Sequence, residues 1–311
     1  MTEVTRKGAR RKTMASAARG DLIFYCLMSL FPVAQFCVFY IGVNFNSFLL
    51  SFKNYDMLTG VSTWVGFDNI VRAFNALFTD SVLIVAAKNS LIAYAFSLLV
   101  GVPLALLFSY YIYKKFFLSG FFKVMLFLPS ILSAIAMSVM FYYFAEKALP
   151  AYMDKLFGIE MRALLSNPKT SFATLIFYSN WIGFGTSVLM YSGAMKSISD
   201  SVVEAAQIDG ASPLREFVSV TVPLVYPTLV TFLVVGVAGI FTNQLNIYSL
   251  MGTGAETYLY TFGFYLYKET STAQMSEYPF LSSLGLLMTF VAVPLTLLVK
   301  YLLEKFGPKA D

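Results

Sequence analysis

Six stretches of this chain, at about 22–48, 83–110, 121–145, 172–195, 223–250 and 281–303, each run beyond twenty residues with no more than one charge. A helix needs roughly 20 mostly apolar residues to cross a bilayer, and in hydrocarbon it satisfies all of its own backbone hydrogen bonds. The pattern predicts an all-α integral membrane protein with six transmembrane helices. Those spans take up about half of the 311 residues. What remains is a basic tail at 1–20 and one membrane domain at 21–311, because the longest connecting segments, 50–82, 146–171 and 251–280, are too short for a further soluble domain.

Basic residues set the orientation. With the tail inside, the inner segments carry 14 Lys/Arg and the outer loops 7, so both termini are expected in the cytoplasm. Lys88, at the outer start of the second span, reads either as an interfacial lysine snorkelling to headgroups or as a transport residue. The charge-free run after the tail is too long for a signal-peptide core and has no clear A-x-A site, so it reads as a retained span. The net charge of +5 resides in the juxtamembrane segments and calls for membrane lipid, with no nucleic acid. Histidine is absent, which removes the usual zinc and haem ligand and the Ser-His-Asp and Cys-His nucleophiles. Cys26 and Cys37, about 16 Å apart along one helix, cannot pair within it.

The inner loop 196–222 departs from the charge pattern, with two basic residues against four acidic ones, Asp200, Glu204, Asp209 and Glu216. A loop lying on anionic lipid would be basic, so this one suits a protein partner. Ser201 followed by Glu204 reads as a capping box and Gly210 as a left-handed stop, while Ser212 with Pro213 opens a second helix. Two short helices joined by a tight turn are predicted.

These residues carry a family resemblance. Glu204-Ala205-Ala206, three residues, Gly210, nine residues, then Val220-Thr221-Val222-Pro223 resembles the EAA loop of binding-protein-dependent ABC importer permeases, EAA-x3-G-x9-I-x-L-P, with valines in place of Ile and Leu. Trp64-Val65-Gly66-Phe67-Asp68-Asn69 is similar to the F-V-G-L-D-N-Y segment of the maltose and glycerol-phosphate permease branch, and Lys88-Asn89-Ser90 to its K-N-T. Asn167-Pro168 and Tyr248-Ser249-Leu250-Met251 also fit, whereas Gly252-Thr253-Gly254-Ala255 replaces the expected T-x-G-G-P.

The resemblance implies a type I ABC importer permease fold in a bacterial or archaeal cytoplasmic membrane. It implies four kinds of partner: a second homologous permease, two cytoplasmic ABC ATPase subunits, an external solute-binding protein and membrane lipid. No G-x4-G-K-[S/T] occurs, so this chain is expected to be a transport subunit without enzymatic activity or cofactor, and ATP and Mg belong to the partner ATPase. Glu204, Ala205, Ala206, Asp209, Gly210 and Pro223 are the expected ATPase-coupling residues. Glu204 offers a carboxylate, the alanines allow close approach and Gly210 permits the turn. Trp64, Gly66, Phe67, Asp68 and Asn69 are candidates for docking the binding protein; interfacial aromatic belts are the other reading of the outer aromatics.

The interiors of spans two to six hold no charge between Lys88 and Lys300 apart from Lys123 at the inner end of span three, which favours a neutral solute. Asn180, Trp181, Asn243, Gln244, Asn246 and Tyr248 combine amides that bond hydroxyls with aromatic faces for C–H surface, a chemistry suited to sugar. Helix–helix amide bonds are the competing reading for each. Gly183, Gly185, Gly193, Gly236 and Gly239, with Pro103, Pro129, Pro227 and Pro294, read as hinges or as close-packing positions. The expected function is the permease of a carbohydrate importer, with oligosaccharide favoured over glycerol phosphate. A secondary transporter would need midplane ionisable residues or an inverted repeat, and neither is seen.

Overall fold

The computed structural model describes residues 20–57 and 59–308. The basic tail at 1–19 and Lys309 lie outside the described residues. In chain order the elements are α1 (Gly20–Leu50), the strands β1 (Lys53–Tyr55) and β2 (Ser62–Trp64), α2 (Asp68–Thr79), α3 (Ser81–Tyr113), α4 (Ser119–Ile131), α5 (Ala134–Phe157), α6 (Ser171–Met195), α7 (Asp200–Ile208), α8 (Pro213–Ala238), α9 (Ile247–Met251), α10 (Phe262–Thr272) and α11 (Tyr278–Phe306). Among the described residues α1, α3, α8 and α11 are long and apolar enough to cross a bilayer, and α4 with α5 makes a fifth if the bent pair is one span. The 25-residue α6 is long enough but more polar, and it occupies the middle of the bundle against α3, α4 and α8.

Two predicted spans are corrected. The third, 121–145, is two helices meeting at 103° across Leu132 and Ser133, whose backbones are extended. The bend lies beside Pro129, which has no N–H for the helical ladder. The fifth, 223–250, starts at Pro213 and stops at Ala238, giving way to a turn and then α9. In that turn the Asn243 side-chain oxygen accepts the Leu245 N–H at 2.9 Å, so a side chain replaces the helical carbonyl. Leu245 and Asn246 then adopt left-handed backbone at φ 50° and 56°. The segments 51–80 and 252–277, expected outside, are also more ordered than expected, with the antiparallel pairing of β1 and β2 and the helices α2 and α10.

Prolines shape the spans without ending them. Of four π-helical segments among the described residues, three, Ser97–Gly101, Phe144–Ala148 and Phe217–Thr221, each stop two residues before a proline, at Pro103, Pro150 and Pro223; the fourth, Phe36–Gly42 in α1, does not. Each of the three closes with an i→i−5 bond, from Val102 to Ser97, Leu149 to Phe144 and Val222 to Phe217. A proline ring crowds the carbonyl four residues back and offers it no hydrogen, and widening the preceding turn relieves both problems.

Burial follows membrane logic. Large apolar side chains such as Leu99, Ile135 and Phe290 face outward, while Ser90, Ser109 and Thr174 are buried with hydroxyls on carbonyls four residues back. Small residues let helices approach. A Cβ at Gly185 would lie 2.0 Å from the Leu126 carbonyl oxygen, so α4 and α6 can cross here only because position 185 is glycine. A core cluster around Leu175, Tyr178, Ile247 and Phe264 at the end expected outside (the outer core), one around Leu106, Val188, Tyr191 and Phe217 at the end expected inside, and a third around Leu83, Phe262 and Leu284 fill the bundle. In contrast, α1 buries nothing over its charge-free run, and only its end, Val43–Leu50, packs on α11.

Candidate functional site

The acidic loop forms an arm. Helix α7 has no buried residue and stands off the bundle, joined to α8 by a turn in which Gly210 takes φ +74°. The Ala211 N–H bonds back to the Ala206 carbonyl at 3.0 Å and that of Gly210 to Gln207 at 3.0 Å, which satisfies the helix end. The left-handed stop is therefore observed, as is the cap of α8, where Ser212 accepts the Arg215 N–H at 3.4 Å ahead of Pro213.

The capping box at Ser201 and Glu204 is not formed. The helix begins at Asp200 with Ser199 in the N-cap position, and the Ser199 and Ser201 hydroxyls bond each other at 2.8 Å. Glu204 thus lies five residues into the helix, beyond capping reach, and is exposed. The predicted second short helix is likewise corrected: the π-turn ahead of Pro223 carries it straight into α8. Around Glu204, Ala205 and Asp209 are exposed and Ala206 is half-buried, with Ile208 86% and Leu214 67% exposed. The arm presents carboxylates beside bare apolar side chains.

The six candidate substrate contacts do not converge. Asn180 and Asn243 line one cleft of about 440 Å³ between α3, α6 and α8, together with Tyr94, Ser97, Gly101 and Thr242. The Asn180 amide donates to the Ile176 carbonyl at 2.8 Å, and its oxygen would sit only 2.9 Å from a Cβ at Gly101. Asn246 donates to the Ser179 hydroxyl at 3.4 Å. Gln244 lines a separate groove with Tyr267, Thr270 and Ser271, and Tyr248 packs edge-on against Tyr267 at 4.9 Å between ring centroids. Trp181 lies against Phe141 and Tyr178 in the outer core, at 6.1 and 6.2 Å. Among the described residues, none that lines the cleft of Asn180 and Asn243 is charged.

The outer segment divides too. Trp64 and Phe67, 64% and 68% exposed, flank Phe52, whose ring stacks on Trp64 at 5.5 Å and meets Phe67 edge-on at 5.4 Å. Gly66 turns the chain at φ +60°, and Asp68 starts α2, where its charge suits the helix dipole. Asn69 is structural: it is buried and donates to the carbonyls of Ser51 and Lys53 at 3.2 and 2.8 Å.

Three anchoring groups escape sequence reasoning. Asn89 donates to the carbonyls of Tyr258 and Tyr260, and Ser90 accepts the Phe262 N–H, pinning the 257–262 segment to α3. Glu146 accepts the N–H groups of Leu165 and Ser166 at 2.7 and 3.0 Å. Glu216, one of the loop's four acidic residues, is buried and paired with Lys114 at 3.0 Å. The motif carrying Asn89-Ser90 was visible; its partner, about 170 residues away, was not.

Residues 97–311 match the family model described as "Binding-protein-dependent transport system inner membrane component". Among curated relatives, the chain is 30% identical over 185 residues to "Probable ABC transporter permease protein MG188" of Mycoplasma genitalium, a match covering 56% of this chain. It spans only about half, 55%, of that relative's length. It is 25% identical over 278 residues to "Multiple sugar-binding transport system permease protein MsmF" of Streptococcus mutans, covering 88% of this chain and 93% of the relative. The fold is similar to that of a bacterial ABC transporter involved in the import of the acidic polysaccharide alginate. That likeness has a TM-score of 0.77 at 21% identity, over 94% of this chain and 99% of the other.

Proposed function

Because the chain belongs to the binding-protein-dependent transport system inner membrane components, we propose that it is the permease subunit of an ATP-driven importer of neutral carbohydrate. It is a multi-pass membrane transport component. In this reading it crosses a bacterial or archaeal cytoplasmic membrane six times with both termini inside. A second permease closes the other half of the path, two ATPases carry ATP and Mg, and an external binding protein delivers the solute to the face that bears Trp64 and Phe67.

The observation that carries the reading is the arm. Helix α7 has no buried residue and Glu204 is exposed, its carboxylate without a hydrogen bond or ion pair to another described residue, so carboxylate and apolar surface are both left for a partner. Docked in an ATPase cleft, the arm would pass ATP-driven motion into α8. The cleft supports the solute class: amides and hydroxyls without charge beside Tyr94, in a volume of about 440 Å³, suit a sugar. The sugar name of the Streptococcus relative agrees.

The test is affinity purification of the tagged full chain in mild detergent, with identification of the copurifying chains and assay of ATP hydrolysis and uptake. Wild type should bring down an ATPase and a second permease. Glu204→Lys should insert normally and lose the ATPase and uptake. Unchanged copurification and uptake in that variant would falsify the coupling assignment, and a chain recovered alone would favour a secondary transporter.

A further inference from the structure

The arm's attachment to the bundle contains a partly buried ion pair that no part of the transport reading has used. Lys114 caps the inner end of α3, and its ammonium lies 3.0 Å from both carboxylate oxygens of Glu216, in the first turn of α8. The two side chains are 17% and 3% exposed. Each charge sits at the end of its helix that the backbone dipole favours, the cation at a C-terminus and the anion near an N-terminus. Next to the pair, Tyr110 and Phe217 meet at 5.1 Å between ring centroids. The arm therefore joins α8 one turn before a point where α8 is fastened to α3 by charge and by ring packing together.

We propose that Lys114 and Glu216 form a strut that makes α3 and the base of α8 one rigid body, so that load on α7 moves these two walls of the cleft together against α6. The inference rests on the importer reading for its purpose, but the strut itself is a property of this chain. Without it the arm would act on α8 alone. The π-turn at Phe217–Thr221, immediately beyond Glu216, would then take up the displacement within α8. Both residues are positioning residues, since neither lines the cleft nor lies on the arm's exposed helix.

The test uses the full chain with Cys26 and Cys37 replaced by serine and with spin labels at Gln207→Cys on α7 and Leu107→Cys on the exposed side of α3. Distance distributions are read by pulsed electron resonance in nanodiscs, and uptake and ATP hydrolysis are measured on the assembled transporter. The parent should give a narrow distribution. Glu216→Gln and Lys114→Met should each broaden it, keep ATP hydrolysis, and lower the solute moved per ATP by about tenfold or more, the size of an ordinary coupling loss. The reversed pair, Lys114→Glu with Glu216→Lys, should restore both in part, because the charges pair again but at the helix ends that the dipoles disfavour. An unchanged distribution in the two single variants overturns the proposal. So does an apolar double variant, Lys114→Met with Glu216→Leu, that matches wild type in both readouts, because packing alone would then carry the load. The distance measurement needs no ATPase, so absence of a copurifying ATPase defeats the importer reading while the strut is still decided.

Discussion

Replacing Asn89 by alanine tests how the outer loop is held. Its amide donates at 2.8 Å to the Tyr258 carbonyl and at 2.9 Å to that of Tyr260, and the residue is 7% exposed. Each bond contributes about 1 kcal/mol net, but removing the donor also strands a buried carbonyl at a cost of roughly 1–3 kcal/mol, so the pair should destabilise the 257–262 segment by about 2–4 kcal/mol. A multi-pass chain does not unfold in one two-state step, so the readout is amide hydrogen exchange across 257–262 in detergent or nanodiscs. Exchange there should accelerate by a factor on the order of 30 to 1,000, while α6 amides keep their wild-type rates. Asn89→Asp separates donor from shape: the carboxylate has nearly the same volume but cannot donate when ionised, and it would face two carbonyl oxygens. It should be at least as disruptive as alanine. If Asn89→Asp exchanges at the wild-type rate, the segment is held by packing and the hydrogen-bond reasoning is wrong.

Three further outcomes are expected. Gly185→Ala forces a Cβ to 2.0 Å from the Leu126 carbonyl oxygen, so α4 and α6 must separate, at a cost of at least about 1–3 kcal/mol in thermal stability; Gly183→Ala, with open space at the same spot, should be near neutral. Tyr265, half-buried in α10, has its hydroxyl pushed up to about 12 by burial and then by Glu269, Asp80 and Glu277. Its folded pKa is raised, so its contribution is whole below pH 10 and declines toward pH 12, and Tyr265→Phe should lessen the alkaline fall in melting temperature. Alanine at Asn180 or Asn243 should reduce uptake and spare basal ATP hydrolysis, with Asn243→Ala also loosening the turn in which its oxygen accepts the Leu245 N–H, whereas Trp181→Ala should reduce stability by about 3 kcal/mol through lost core packing; wild-type uptake in both amide variants would move the solute site elsewhere.

Length and hydropathy made the long helices legible, and local chemistry made the arm legible: Gly210 and the Ser212-Pro213 start do what their residue types dictate. What escaped reading has a common physical origin. Ser201 and Ser199 are equally good N-caps by type, and the backbone chose the one that admits Asp200 to the first turn. Apolar periodicity ran on through Leu132 and Val237 because lipid-facing residues are apolar whether or not the helix continues, so the bend at Ser133 and the stop at Ala238 left no hydropathic mark. Pairings such as Lys114 with Glu216 join residues about a hundred positions apart and exist only once the helices are packed.

The same irregularities account for the cleft. A straight α3 would carry its small residues along one continuous stripe, but the π-turn before Pro103 shifts the helix by a residue and brings Ser97 and Gly101 to the cleft wall opposite Asn180. A continuous α8 would bury Thr242 and Asn243 in helical backbone; because it stops at Ala238, they line the cleft on a turn, and Thr261 bonds the Asn243 carbonyl at 2.7 Å to hold that turn against the outer segment. Irregular backbone at membrane depth is tolerated only where protein or a water-filled cavity receives its polar groups. Of the amides that marked candidate solute contacts, Asn243 thus lies on the turn beyond the break and gives the cleft part of its polar wall, whereas Asn180 reaches the cleft from an unbroken α6. Asn243 serves both at once: its side-chain oxygen accepts the Leu245 N–H in the turn after α8, and the residue lines the cleft.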